Sequence, residues 1–166
     1  MPDIILDGKV ISDQWQRLDA EQATNLSAHE GQAILVPLSC WNQNHASLAQ
    51  RPQTGIWLAS DELPEQIEGD WLHLPLVAVD FPLFADGRGF SIGRLLRQRY
   101  HFEGELRAVG SPIRDQLSYL IRCGFNAIQL AEHYDPAEAL ASLKDFSEFY
   151  QTAVDQETPL FRRRQA

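Results

Sequence analysis

Apolar and polar positions alternate along this chain in ways that separate short strands from amphipathic helices. Ile4-Ile5-Leu6-Asp7-Gly8-Lys9-Val10-Ile11 places apolar runs on both sides of Asp-Gly, the strongest short-range signal for a β-hairpin. Ala33 to Leu38 and Gly55 to Ala59 are short, nearly continuous apolar runs, as in strands buried on both faces. Between them, Trp41 to Gln50 reads as a short helix that ends before Arg51-Pro52. The acidic stretch Asp61 to Asp70, broken by Pro64, reads as a loop or a short turn of helix. Leu72 to Phe81 (LHLPLVAVDF) reads as a strand. Ser91 to Tyr100 reads as a helix, with Ile92, Leu95, Leu96 and Tyr100 on one face. A strand over Glu105 to Val109 and a helix over Pro112 to Cys123 follow, the helix stopped by Gly124 at C′. Phe125 to Ala131 is a further strand. Asp135-Pro136-Ala137-Glu138 opens a last helix with an N-cap, a proline at N1 and a glutamate at N3, and that helix runs to about Tyr150.

From residue 72 the order is strand, helix, strand, helix, strand, helix. That alternation predicts an α/β fold with a parallel sheet and right-handed crossovers. With the two earlier runs it predicts a three-layer domain, Rossmann-like or flavodoxin-like, of about five strands plus an N-terminal β-hairpin. The expected organisation is a hairpin and extension over 1–30, a single α/β domain over 31–155, and a C-terminal arm over 156–166 that carries Arg162-Arg163-Arg164.

Ligands of open α/β sheets bind outside the carboxyl ends of the strands. Three segments fall there: Asp80 to Ser91, Gly110 to Gln116, and Glu132-His133-Tyr134. Asp86-Gly87-Arg88-Gly89 lies between a strand and a helix. Its glycines permit positive φ, Ser91 is placed to cap the helix, and an arginine beside a helix N-terminus suits an anion. A tight turn with an N-cap explains the same residues equally well. Gly110, Arg114, Asp115 and Gln116 add ligand-binding candidates at the start of the next helix. Asp80 and Asp86 are the candidate bases, although a carboxylate that only accepts loop N–H groups fits Asp80 at least as well. Cys40 and Cys123 form no Cys-x-x-Cys pair, the five histidines show no metal-ligand spacing, and no Gly-x-Ser-x-Gly elbow occurs. No metal is therefore expected. Trp15, Trp41, Trp57 and Trp71 all lie in the first half, mostly as core, with one or two exposed ones as candidate contact residues.

The charge balance adds one distinction. The 166 residues carry a net charge of −9, which argues against a nucleic-acid partner. No apolar run is long enough to span a membrane, and no signal peptide precedes the first strand, so a cytoplasmic location is expected. The acid excess belongs to the flanks. Residues 80–122 are net +2, and all seven of their bases are arginine, whose planar fork matches oxyanions.

The run Asp80-Phe-Pro-x-Phe-x-Asp-Gly-Arg-Gly-Phe-Ser-x-x-Arg-Leu-Leu-Arg-x-Arg-Tyr, followed by Gly104-Glu-Leu-Arg-Ala-Val-Gly110, Asp115-Gln116 and Arg122-Cys-Gly-Phe125, resembles the bacterial domain of unknown function 934 family. The likeness extends from Ala33 to Pro159-Leu-Phe-Arg. Members of that family are often encoded beside assimilatory sulfite reductase and often labelled oxidoreductases. The resemblance thus implies a place in sulfur assimilation: an accessory protein of sulfite reduction that binds an anionic ligand, or sulfite reductase itself, at an arginine-rich face. A stand-alone enzyme with an Asp base and an Arg88 or Arg114 clamp, or a non-catalytic adaptor, are the alternatives. No redox motif is present, so a flavin or nicotinamide nucleotide stays open as a cofactor with no residues assigned to it. The family pattern often carries acids where this chain has Ser111 and Asn126, and the resemblance assigns no catalytic role to those two positions.

Overall fold

The structure, a computed structural model, describes residues 2–164. One eight-stranded sheet organises them: β1 (Asp3–Leu6), β2 (Lys9–Ser12), β3 (Trp15–Arg17), β4 (Ala33–Pro37), β5 (Thr54–Leu58), β6 (Leu76–Phe81), β7 (Glu105–Gly110) and β8 (Ala127–Ile128). The helices are α1 (Leu38–Leu48), α2 (Arg88–Gln98), α3 (Leu117–Arg122), α4 (Pro136–Leu140) and α5 (Leu160–Arg163). The spatial order is β2-β1-β8-β7-β6-β5-β4-β3, with β3 to β8 parallel and the β1–β2 hairpin joined antiparallel to β8.

The fold is α/β, but the five-strand three-layer expectation needs correction to eight strands in a mixed sheet. Two causes are physical. First, β3 is only Trp-Gln-Arg, too short and too polar to read as a buried run. Second, the parallel strands follow one another in strict sequence order, so the chain never reverses direction to form the switch point of a doubly wound sheet. All the crossovers then fall on one face. Leu38, Trp41 and Leu48 of α1, Ile92 and Leu96 of α2, Leu117 and Leu120 of α3 and Ala139 of α4 share a single core with Ile34, Val36, Ile56, Leu58, Val77, Val79 and Ala108 of the strands. The other face buries a small cluster of its own, Leu35, Leu76, Ala78 and Val109 with Trp15 and Trp57 against it, and among the described residues no helix packs on that cluster.

The sheet must curl. Its two outermost strands, β2 and β3, are joined by Asp13 and Gln14 alone, so Ser12 and Trp15 lie within about 11 Å at most, three Cα–Cα steps. Seven spacings in a flat sheet would part these strands by about 34 Å. The connector is tied down, since Asp13 N–H donates to the Pro2 carbonyl (3.0 Å) and the Asp13 side chain is buried.

Local signals explain most element ends. Asp7 (φ 47°) and Gly8 (φ 72°) make the tight hairpin turn. Asp135 accepts the Ala137 N–H (2.7 Å) and starts α4 at Pro136, but α4 ends at Leu140 and a 3-10 turn over Ala141–Lys144 follows, well short of Tyr150. Strand β6 begins at Leu76, after Pro75. The expected helix over 112–123 opens with a 3-10 turn at Arg114–Gln116 before α3. Residues 165–166 of the expected C-terminal arm lie outside the described residues. None of the four tryptophans is exposed: Trp41 and Trp71 are buried, and Trp15 and Trp57 are half-buried on the concave face.

Candidate functional site

Each parallel strand delivers a loop to the carboxyl end of the curled sheet, the end that carries the active sites of β/α barrels. Three of these loops, those expected to carry chemistry, meet there. Pro82, Leu83 and Phe84 after β6, Gly110 at the end of β7 with Ser111 and Ile113 beyond it, and Ala131, Glu132 and His133 after β8 line a cleft of about 530 Å³. Its loops are fixed from below. Ser111 N–H donates to the Phe81 carbonyl (2.8 Å), and Ala131 N–H donates to the Pro112 carbonyl (2.9 Å). The buried Gln116 accepts the Ile113 N–H (3.1 Å) and reaches the Phe84 carbonyl (3.5 Å). Gly110 has φ 93°, and a Cβ there would sit 2.6 Å from Asp80 Oδ1 and 2.8 Å from the Phe81 carbonyl oxygen. Both the backbone and the space require glycine.

The Asp86–Ser91 segment does something different. Helix α2 begins at Arg88, and the Asp86 carboxylate already occupies its amino end, accepting the Arg88 N–H (3.2 Å). The Arg88 guanidinium closes back on the same carboxylate (2.9 and 2.7 Å) and reaches Ser60 Oγ after β5 (2.8 Å). These bonds, those from Arg88 first, hold the Asp86 carboxyl far below the usual carboxylate range. A general base needs the opposite shift. Gly87 has an ordinary φ of −87°, Gly89 is packed against the Phe81 ring, and Ser91 is exposed within the helix rather than at its cap. The helix end thus carries its own anion. Arg114 and Asp115 are exposed, and among the described residues Arg114 holds no salt bridge.

The arginines of 80–122 are mostly engaged within the molecule. Six of the seven have internal partners: Arg88 as above, Arg94 on Gln98, Arg97 on the carbonyls of Phe102, Gly104 and Gly124, Arg99 on Glu65, Arg107 on Asp13 and Glu105, and Arg122 on the Gln151 carbonyl.

The concave face joins one sequence candidate, Asp80, to residues that sequence reasoning missed. Asp80, at the carboxyl end of β6, accepts from Arg17 Nη1 (2.9 Å), and the Arg17 guanidinium lies over the Trp57 ring at 4.0 Å. Arg107, on β7, is 2% exposed and donates from Nη1 to both oxygens of Asp13 (2.9 Å each) and from Nε to Glu105 (2.6 Å). Burial pushes the Glu105 carboxyl up from its usual value, against the pull of Arg107. The available signals were faint: a Trp-x-Arg alternation at 15–17 and a charge inside the apolar strand Leu106-Arg107-Ala108. Cys40 and Cys123 are buried, and burial raises both thiols above their usual value. Among the described residues no group of three or more His, Cys, Asp or Glu is placed to hold a metal, and no helix is long and apolar enough to cross a membrane.

Comparison with known proteins gives one match. A family described as a bacterial protein of unknown function (DUF934) matches residues 55–161. No curated protein and no solved structure matches the chain.

Proposed function

Since the chain belongs to the bacterial DUF934 family, we propose that it is an accessory protein of assimilatory sulfite reduction that meets the reductase through the rim of its carboxyl-end cleft. The setting in sulfur assimilation comes from the family resemblance of the central block. The place of contact is argued from one observation: Leu83 and Phe84 stand side by side at the cleft edge, 68% and 65% exposed. Two adjacent large apolar side chains held out to solvent on a braced loop contribute nothing to the core, and such residues are suited to be the buried centre of a contact. The exposed Arg114, in the loop that follows β7, supplies an unpaired charge for an acidic partner surface.

The test is sedimentation or calorimetry of the full chain with the assimilatory sulfite reductase of the same bacterium. The two proteins should associate. The double substitution Leu83→Ser and Phe84→Ser should weaken association at least about tenfold while leaving the urea midpoint unchanged. Absence of a complex, or an affinity that survives the double substitution, overturns the proposal.

A further inference from the structure

A second cavity, of about 430 Å³, lies on the helical side of the sheet, where α2, α3 and the irregular segment 146–153 meet. It is independent of the rim contact proposed above. Its walls are aromatic: Tyr119 of α3, Phe146, Phe149 and Tyr150 all line it. Five Phe and Tyr rings are exposed among the described residues. Three of them, Tyr119 (56%), Phe146 (63%) and Tyr150 (72%), stand in this one lining. Two rings of the lining are fixed in advance. Tyr119 packs on Phe90 with 4.7 Å between centroids, and the Arg122 guanidinium lies over the Phe149 ring at 4.1 Å. Rings held out to water around one hollow, rather than folded into the core, suit a flat apolar ligand.

Charge adds a preference. Arg94 and Arg122 line the cavity against one acid, Asp115, so the lining is net positive by one charge in a chain of net −9. Neither arginine holds a salt bridge among the described residues. Arg94 gives Nε to Gln98 on its own helix, and Arg122 gives Nη2 to the Gln151 carbonyl. Arg122 is only 8% exposed, and a guanidinium so far buried is normally paired with a carboxylate. Both charges are felt at one point of the lining. Burial pushes the Cys123 thiol up, Arg94 and Arg122 pull it down, and Asp155, which does not line the cavity, opposes them.

We propose that this cavity binds a small ligand with a flat fused-ring body and one oxyanion head, the ring against Tyr119, Phe146 and Tyr150 and the head at Arg94 and Arg122. The head is a carboxylate or a phosphate, since both offer the oxygens that an arginine fork matches. Asp115 is the group in the lining whose charge opposes it.

The experiment titrates the full chain by calorimetry with naphthoate and with adenosine monophosphate, each beside its neutral counterpart, naphthamide or adenosine. NMR follows the backbone amides of Tyr119, Arg122 and Tyr150. At least one anion should bind saturably, shift all three signals and bind about tenfold tighter than its neutral counterpart; which one does so tells carboxylate from phosphate. Arg94→Gln should weaken that anion about tenfold, and Tyr150→Ala about three- to tenfold. Both side chains are exposed, so the urea midpoint should stay where it is. Asp115→Asn, which removes the opposing charge from an exposed side chain, should tighten binding. A gain of affinity is not the signature of a damaged fold. Saturable binding by neither anion, equal binding of the neutral counterparts, shifts confined to other parts of the molecule, or weaker binding in Asp115→Asn would each overturn the proposal.

Discussion

Asp13→Asn is the sharpest probe of what holds the curl closed. The substitution keeps the size of the side chain and an oxygen for the Trp15 N–H, which Asp13 Oδ1 accepts at 3.0 Å. What it removes is the charge facing Arg107. The pair is 2% and 5% exposed, so solvent screening offers little relief. Two ionic bonds of 2.9 Å are reduced to one bond from the guanidinium to a neutral amide oxygen. Hydrogen bonds to charged groups are worth about 1.5–3 kcal/mol, and loss of a whole buried partner costs about 3–5 kcal/mol. Glu105 stays as a second counter-ion, which places the expected loss near the lower range, about 2–3 kcal/mol at pH 7. At roughly 2–4 °C per kcal/mol for a domain of this size, the melting temperature should fall by about 5–10 °C.

Glu105→Gln is the matched control, and its sign is opposite. Burial raises the Glu105 carboxyl above its usual 4.5, so the folded state holds that proton more tightly than the unfolded chain. Stability from this group is present at low pH and falls as pH rises from about 4.5 through the folded value. Gln cannot ionise, so the variant should lose that decline and be at least as stable as the parent at pH 7. Urea melts of both variants from pH 4 to 8 decide the matter. If Glu105→Gln costs more than Asp13→Asn at pH 7, the division of labour around Arg107 is refuted.

Three further outcomes follow from the same geometry. Gly110→Ala forces a Cβ into a left-handed backbone position and against Asp80 Oδ1, and should cost about 2 kcal/mol in urea melts. Arg97→Ala strips donors from the carbonyls of Phe102, Gly104 and Gly124 and from Asn126, and should cost about 2–4 kcal/mol by the same assay. Asp86→Asn should be felt only above acid pH. Arg88 depresses the folded carboxyl below its usual 3.8, so the stability it lends is present above that value and lost as pH falls below it, and the melts of variant and parent should converge in acid.

Local chemistry carried much of this fold in plain sight. The Asp7-Gly8 turn, the buried runs that became β4 and β5, the Ile92 and Leu96 face of α2 and the Asp135 cap are each decided by neighbours in the chain, and each is where its residues say. Long-range pairing is a different matter. Arg107 and Asp13 are separated by 94 positions and Arg17 and Asp80 by 63. An arginine does not announce whether its carboxylate is in the same turn, as for Arg88, or across the sheet, as for Arg107. The net +2 of the central stretch was real, but it was distributed among helix ends and carbonyls that only the fold brings near. The convergence of three loops at the strand ends was legible from strand and helix order alone. The concave face and its ion pairs were not, because three-residue β3 gives no periodic signal and the curl is imposed by a connector that no propensity records.

That connector also has a consequence for how the chain is made. Ile5 pairs with Ile128, so the hairpin, made before β3 to β8, waits for a strand synthesised 123 residues later. At about 5–20 residues per second that is a delay of roughly 6–25 s. Throughout it, Ile4 and Ile5, fully buried in the finished molecule, have no sheet to join. The sheet can grow strand by strand from β3 to β8 as the nascent chain lengthens, and the hairpin, made before all of them, docks last.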